Sequence, residues 1–202
     1  MIKHLIFDFG GVFLYLGENK GVHYKLDKIF DIPKEKAVEI WKEHKEKLLI
    51  GKETPKEFLL RMNTLLGVSI DPDKTHKSWL SLNSMEKDRI NWELVNYVEV
   101  LKDKYQIHML TNNINLNDKS EWYNAATKHF DNIFQSFEIG HKKPNKEAFL
   151  HVLERIGATP KECVFVDDIQ VNVDAANTLG MKGILYTNLE QLKKDFLALD
   201  IN

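Results

Sequence analysis

Two distant segments of the sequence place carboxylate side chains directly after apolar runs. Asp8 follows the run Leu-Ile-Phe at residues 5–7, and Asp167 and Asp168 follow the run Cys-Val-Phe-Val at residues 163–166. Such runs are typical of strands buried on both faces of a parallel sheet, whose carboxyl ends bind ligands in open α/β folds. If the two strands are neighbours in one sheet, the three carboxylates converge at one point. Because adjacent carboxylates repel each other without a compensating charge, they would then form a site for a hard cation such as Mg²⁺, shared with a substrate phosphate.

Further polar residues follow other predicted elements of the same kind. The run at residues 106–110 ends in Thr111 and Asn112, and Lys143 lies in a loop before a helix that Pro144 begins. Strands alternate with helices along this part of the chain, which predicts a parallel sheet joined by crossover helices. The predicted strands are residues 106–110, 132–137, 163–166 and 183–187, and the predicted helices are residues 86–105, 122–130, 146–156 and 171–179.

Between the first strand and this alternating region, the pattern is wholly helical. Apolar residues recur at helical spacing from about residue 21 to residue 84, and one long charged helix is predicted from Pro33 to Gly51. Thr54, Pro55 and Glu57 have the types and spacing of a helix N-cap with a capping box. This stretch, residues 16–85, therefore predicts a helical insert in an α/β core of residues 1–15 and 86–202.

Composition excludes several classes of protein. The 202 residues carry a net charge of −2 with a pI near 6.5, which argues against a nucleic-acid partner. A single cysteine, Cys163, excludes an internal disulfide and favours a reducing compartment, and its place in a strand indicates a structural thiol. No membrane-spanning stretch or signal peptide is visible. We expect a cytoplasmic protein, monomeric or homodimeric, with a small-molecule partner and no membrane partner.

The order of these motifs resembles the haloacid dehalogenase-like (HAD) hydrolase superfamily, in its subfamily with a helical cap. The resemblance rests on Asp8-Phe-Gly-Gly-Val, Thr111-Asn, Lys143-Pro and Phe-Val-Asp167-Asp168, in the family's order. It covers the α/β core and is weak across the helical insert. It implies a Rossmann-like parallel sheet of order 5-4-1-2-3, with the insert acting as a mobile cap that excludes water.

The resemblance also implies a role for each residue of the motifs. Asp8 would be a nucleophile that forms an aspartyl-phosphate, which water then hydrolyses. Magnesium would be bound by Asp8, the backbone carbonyl of Gly10 and Asp168, with Asp167 binding it directly or through water. The phosphoryl oxygens would be held by the Thr111 hydroxyl, the Asn112 backbone N–H and the Lys143 ammonium. Asn172 would hydrogen-bond into the metal shell.

One departure from the family pattern concerns the general acid. Most phosphatases of the family carry a second Asp two residues after the nucleophile, where this sequence has Gly10. Losing a positioned general acid typically costs about 10²–10⁴ in rate. Three explanations stay open: a good leaving group, a proton from the segment after Asp8 or from the insert, or a slow or retired enzyme.

The sequence predicts a Mg²⁺-dependent phosphatase of a small phosphorylated metabolite such as a sugar phosphate, and two alternatives are kept. A dehalogenase of this family uses an insert arginine to hold the halide, and residues 13–60 contain none. A non-catalytic regulatory or binding protein that retains the fold is favoured only by Gly10. Lys52, on the turn between two insert helices, is predicted to contact the polar end of the substrate.

Overall fold

A five-stranded parallel sheet lies at the centre of the fold. The protein is represented by a computed structural model that describes residues 1–15, 23–83, 90–115 and 121–202. The strands are β1 (His4–Phe7), β2 (Gln106–Thr111), β3 (Asn132–Gln135), β4 (Cys163–Asp167) and β5 (Lys182–Leu185). Their order is β3-β2-β1-β4-β5, with every neighbouring pair parallel. The predicted order 5-4-1-2-3 is the same order read from the other edge and is confirmed.

The register of the sheet brings the two acidic segments together. Phe7, the last residue of β1, lies opposite Val166 of β4, so that Asp8 and Asp167 leave the sheet side by side. The Asp8 backbone N–H continues the ladder by donating to the Val166 carbonyl at 2.8 Å. Parallel strands present their carboxyl ends at one edge, which makes this the edge where a ligand would bind.

Helices cover both faces of the sheet and form the insert. In chain order they are α1 (His23–Phe30), α2 (Lys34–His44), α3 (Glu46–Leu49), α4 (Pro55–Leu66), α5 (Pro72–Asn83), α6 (Trp92–Leu101), α7 (Glu121–Thr127), α8 (Ser136–Ile139), α9 (Lys146–Ile156), α10 (Gln170–Thr178) and α11 (Leu189–Ala198). Among the residues that the model describes, no helix combines the length and the apolar character needed to cross a bilayer.

The sheet has a separate hydrophobic core on each face. Along β1, Leu5 and Phe7 pack into one cluster and Ile6 into the other, as the alternation of side chains along a strand requires. All three are almost completely buried, which explains why the strand reads as an unbroken apolar run. Cys163 is buried in the Ile6 cluster, and burial raises the pKa of its thiol to about 12. This fits a structural thiol.

Helices α1 to α5, which we call the helical insert, have a core of their own. Phe58 and Trp79 are fully buried there and pack ring against ring at 5.9 Å. The predicted capping box is present: the Thr54 hydroxyl accepts from the Glu57 N–H, and the Glu57 carboxylate accepts from the Thr54 N–H at 2.7 Å. The predicted boundaries of the insert, at residues 16 and 85, lie outside the described residues and stay a prediction.

Among the described residues, three contacts join the helical insert to the α/β core. Ile114, three residues after the end of β2, is buried in the core of the insert. The backbone of Gly51, at a φ of +69°, packs so closely on the Phe137 carbonyl that a side chain would not fit. The Lys142 ammonium lies 2.8 Å from the Glu46 carboxylate. The insert is therefore held at the edge of the sheet where the strands end.

Three predicted elements differ from the structure in the element that some of their residues form. Two more differ only at their ends: the helix predicted over residues 122–130 ends at Thr127, and the strand predicted over residues 183–187 ends at Leu185. The single helix predicted from Pro33 to Gly51 is divided into α2 and α3 at Lys45, and α3 then buries both Leu48 and Leu49. Tertiary packing therefore overrides the continuous helical pattern. The helix predicted over residues 86–105 begins only at Trp92, because Ile90 pairs with Leu14 in a β-bridge; residues 86–89 lie outside the described part of the chain.

The third difference is at the end of β3. Residues 136 and 137 were expected to extend the strand, but they begin the short helix α8. The buried Ser136 hydroxyl accepts from the Asn113 N–H at 3.0 Å and donates to the Asn113 carbonyl at 3.1 Å. These bonds anchor the start of α8 to the loop after β2, a long-range contact that local sequence does not show.

A buried histidine pair lies on the sheet away from the acidic edge. His4 Nδ1 and His108 Nε2 are 3.2 Å apart, and His108 Nδ1 lies 3.2 Å from the Asn132 amide. Burial is the main cause that lowers the pKa of His108 to about 4. The neighbouring His4 acts in the same direction, and Asp131 opposes the shift. Both rings are therefore neutral at physiological pH.

We predict that His108 makes the fold sensitive to mild acid. Its pKa is lower in the folded state than the usual 6.5, so the unfolded chain binds the additional proton. The neutral His108 ring therefore contributes fully to the free energy of unfolding above pH 6.5. This contribution, roughly 3 kcal/mol in total, is lost as the pH falls from 6.5 towards 4. Urea denaturation at pH 7.5 and pH 5 measures it.

The matched variants for this measurement are His108→Gln and His141→Gln. The first should flatten the fall in unfolding free energy between the two pH values, whereas the second, at an exposed loop position, should leave it as in the wild type. An equally steep fall in His108→Gln would assign the acid sensitivity to other groups.

Candidate active site

Three carboxylates converge at the carboxyl ends of β1 and β4. Asp8, Asp167 and Asp168 each offer an oxygen, and these oxygens all lie within 4.8 Å of one another. Asp8 and Asp167 are buried and Asp168 is half-buried. The sequence predicted this convergence from the two strand ends. An arrangement of three acidic groups at this spacing suits an oxygen-binding divalent cation.

Lys143 is buried among these carboxylates. Its ammonium lies 2.9 Å from Asp8 Oδ1 and 2.6 Å from Asp167 Oδ2, and its side chain is 1% exposed. It also lies over the Phe165 ring, 5.4 Å from the centroid. A buried ammonium is stable only when its charge is compensated, and here two carboxylates compensate it. Lys143 therefore bridges the two acidic segments.

Asp167 is held by four contacts with the protein. Its Oδ2 accepts from Lys143 and from the Asn172 amide at 3.0 Å, and its Oδ1 accepts from the same amide at 3.1 Å and from the Ile169 N–H at 2.8 Å. A carboxylate has about four lone-pair directions, and these contacts use most of them. Whether Asp167 binds a cation directly or through water stays a prediction.

Electrostatics at Asp8 reflect its burial. Burial raises the pKa of the Asp8 carboxyl to about 6; the Lys143 ammonium opposes this shift, and the Asp167 carboxylate adds to it. A cation bound between Asp8 and Asp168 would favour the ionised form, because an opposite charge within a few ångströms stabilises the carboxylate. The ionised carboxylate is the form that could act as a nucleophile.

The residues present fit a magnesium ion. The donor set consists of carboxylate oxygens with a backbone carbonyl at Gly10 nearby in sequence, which is the chemistry of a hard cation. Three carboxylates and the Lys143 ammonium leave two negative charges, which one divalent ion neutralises. Gly11 has a φ of +83° and lies directly against the Asp168 carboxylate. A side chain at position 11 would therefore displace this carboxylate.

The predicted phosphate-binding residues are at the end of the neighbouring strand. Thr111 is the last residue of β2, buried, and β2 pairs directly with β1. Asn112 follows it, and its side-chain amide makes two hydrogen bonds to the backbone of Lys143, both 2.9 Å long. The roles of Thr111, Asn112 and Lys143 towards a phosphate stay predictions.

Lys52 lies on the turn after α3. Its side chain is exposed, and its backbone N–H donates to the Lys47 carbonyl at 2.8 Å. The neighbouring Gly51 packs on Phe137 of the α/β core, and Glu53 forms two hydrogen bonds with Arg61. The turn is therefore fixed on both sides of Lys52, whose role towards a substrate stays a prediction.

Sequence reasoning missed two contacts of the site. The side chain of Asn112 holds the backbone of Lys143, although only its backbone N–H was considered. The Ile169 N–H donates a hydrogen bond to the Asp167 carboxylate, two residues earlier in the chain. An Asp followed by a helix start is a signal for the second contact, because Asp side chains commonly accept from the backbone two residues on. No local pattern indicates the first contact, which joins residues 31 positions apart.

Comparison with known proteins places this geometry in a family. The family model described as a haloacid dehalogenase-like hydrolase matches residues 2–180, most of the chain. The chain belongs to the HAD-like hydrolases. This assignment confirms the resemblance inferred from the four motifs and makes the protein a hydrolase.

Individual relatives of this HAD-like hydrolase include phosphatases and dehalogenases. D-ribitol-5-phosphate phosphatase of Bacteroides thetaiotaomicron is 26% identical over 194 residues, which are 90% of each chain. A HAD family enzyme from the same organism, solved as a magnesium complex, is 25% identical with a TM-score of 0.69 and 93% of each chain covered. The L-2-haloacid dehalogenase of Xanthobacter autotrophicus, 18% identical, shares the fold with a TM-score of 0.59 over 100% of this chain and 85% of its own.

Proposed function

We propose that this HAD-like hydrolase is a Mg²⁺-dependent phosphatase that acts on a small phosphorylated metabolite of the sugar-phosphate class. The observation that carries the proposal is the buried cluster of Asp8, Asp167, Asp168 and Lys143 at one edge of the sheet. The similarity to a D-ribitol-5-phosphate phosphatase over 90% of both chains supports a sugar or sugar-alcohol phosphate as the substrate class.

In this proposal Asp8 attacks the phosphorus atom of the substrate. A bond forms between a carboxylate oxygen and phosphorus, and the bond from phosphorus to the leaving oxygen breaks, which gives an aspartyl-phosphate and an alcohol after the leaving oxygen takes up a proton. Water then attacks the phosphorus and releases inorganic phosphate and the free Asp8 carboxylate. Lys143 and the Thr111 hydroxyl stabilise the charge on the transferring oxygens.

A divalent cation would supply the positive charge that this reaction needs. A carboxylate repels a phosphate dianion, and a bound divalent ion would reduce the repulsion and stabilise the developing charge. Asp8, Asp168 and the Gly10 carbonyl would hold the ion, and Asp167 would fix its water shell and Lys143. Asn172 supports Asp167 in that role through its two hydrogen bonds.

Two observations favour a phosphatase over a dehalogenase. Three carboxylates at one point would repel the carboxylate of a haloacid, whereas they suit a metal-bridged phosphate. Arg61 is the first arginine in the chain, and its guanidinium donates hydrogen bonds of 2.7 and 2.6 Å to the Glu53 carboxylate. It is therefore not placed as a halide-binding group in this structure.

The test of the proposed function is release of phosphate from an aryl phosphate in the presence of MgCl₂. An aryl phosphate has a good leaving group, so its turnover does not need the general acid that Gly10 lacks. We expect steady-state turnover with this substrate and with sugar phosphates. Release of halide from 2-chloropropionate without phosphate release would instead assign the dehalogenase activity, and binding of phosphate without any turnover would assign a regulatory role.

Lys52 offers a prediction about substrate recognition. If its ammonium contacts the polar end of the substrate, Lys52→Ala should raise KM about fivefold and leave kcat within twofold, because an exposed charge contributes on the order of 1 kcal/mol. Lys36→Ala, which removes an exposed ammonium from α2, is the matched control and should change neither constant. An unchanged KM for every good substrate in Lys52→Ala would exclude this contact.

A further inference from the structure

The Asn112 side chain, just after β2, holds the loop that carries Lys143. The Asn112 amide N–H donates to the Lys143 carbonyl at 2.9 Å, and the Asn112 amide oxygen accepts from the Lys143 N–H at 2.9 Å. The two bonds fix the orientation of the amide, since the oxygen must face the N–H and the nitrogen must face the carbonyl. Both backbone groups of one residue are therefore held by one side chain.

The position of Lys143 matters more than that of an ordinary lysine. Its ammonium lies 2.9 Å from the predicted nucleophile, Asp8, and 2.6 Å from Asp167, and the residue is only 2% exposed. A displacement of its backbone therefore moves the charge. Small displacements of a reacting group of about 1 Å reduce rates by as much as about 10².

We propose that Asn112 is a positioning residue that acts through Lys143. Asn112 directly follows Thr111, so the two bonds also set the distance between the Thr111 hydroxyl and the Lys143 ammonium, the two groups assigned to the phosphoryl oxygens. This inference rests on the proposed function, because it assigns to Asn112 the alignment of that site. It differs from a direct contact with the substrate, since both polar atoms of the Asn112 side chain are used on Lys143.

The first test is a double-mutant cycle with an aryl phosphate and saturating MgCl₂. Asn112→Ala should lower kcat ten- to a hundredfold with KM changed less than threefold, and should have no further effect on kcat when combined with Lys143→Met. Asn113→Ala is the matched control, because the amide of Asn113 donates to Gln135 instead, and it should keep kcat within threefold. If Asn112→Ala lowers kcat as much with Lys143→Met as without it, or leaves kcat unchanged, the proposal is wrong.

The second test does not depend on activity. Hydrogen exchange of the Lys143 amide should become at least tenfold faster in Asn112→Ala while exchange of the Val166 amide in β4 is unchanged, and Asn113→Ala should leave both unchanged. Equal acceleration at both amides would indicate general loss of stability and overturn the proposal; if Asn112→Ala does not fold, Asn112→Ser replaces it in both tests. A wild-type protein without turnover refutes the proposed function, whereas unchanged Lys143 exchange in the variant refutes the attachment itself.

Discussion

Replacing Asp8 by Asn is expected to lower kcat by at least about 10⁴-fold while the protein remains folded. Asparagine has the shape of aspartate but lacks the charge and the nucleophilic oxygen, so no covalent bond to phosphorus forms. Loss of a nucleophile that acts together with its neighbours typically removes nearly all of the catalytic advantage. The measurement is phosphate release from an aryl phosphate with MgCl₂, at enzyme concentrations high enough to detect residual turnover.

The control for this variant is Asp174→Asn on α10, an exposed carboxylate that accepts a hydrogen bond from Gln170. It should retain the wild-type kcat. A trapping experiment adds a second observation: after an acid quench during turnover, the wild type should carry a phosphoryl group on Asp8, and the Asn variant should carry none. Turnover of Asp8→Asn within tenfold of the wild type would mean that Asp8 is not the nucleophile.

Removal of the divalent cation is expected to abolish turnover. With EDTA, phosphate release should fall below about 1% of its initial rate and return on addition of excess MgCl₂, because an uncompensated cluster of carboxylates repels the phosphate. Asp168→Asn should raise the Mg²⁺ concentration needed for half-maximal rate by about a hundredfold. It removes one of the carboxylates proposed to bind the ion directly.

Thermal unfolding provides a measurement of the same site without substrate. Magnesium at a hundred times its dissociation constant stabilises the wild type by about 2.7 kcal/mol, which raises the Tm of a chain of this size by roughly 5–10 °C. Asp168→Asn should lose most of that shift, and Asp174→Asn should retain it. A Tm that does not respond to Mg²⁺, together with turnover that resists EDTA, would exclude the metal site.

Sequence reasoning was sufficient for the parts of the fold that depend on local patterns. Apolar runs that end in polar residues identified the strands, whereas the strand order that brings Asp8 to Asp167 and Asp168 was implied by the family resemblance. The capping box at Thr54 is likewise encoded within four residues. In each case the residues that determine the structure lie close together in the sequence, or at the same end of neighbouring strands.

The features that were missed depend on contacts between distant residues. The break at Lys45 reflects the burial of Leu48 and Leu49 against the rest of the insert, and α8 begins where Ser136 bonds to the loop after β2. The two hydrogen bonds between the Asn112 side chain and the Lys143 backbone likewise join residues that are distant in the sequence. A pattern of hydrophobic periodicity carries no information on such side-chain to backbone bonds, because they form only after the chain has folded.

The three junctions between the helical insert and the α/β core have a mechanical consequence. Ile114 lies three residues from Thr111, and Lys142, paired with Glu46, is adjacent to Lys143. Any movement that lifts the insert would pull on the two segments that carry Thr111 and Lys143, the residues proposed to bind a phosphate. If the insert opens to admit a substrate, we therefore expect these two residues to reach full alignment only after it has closed again.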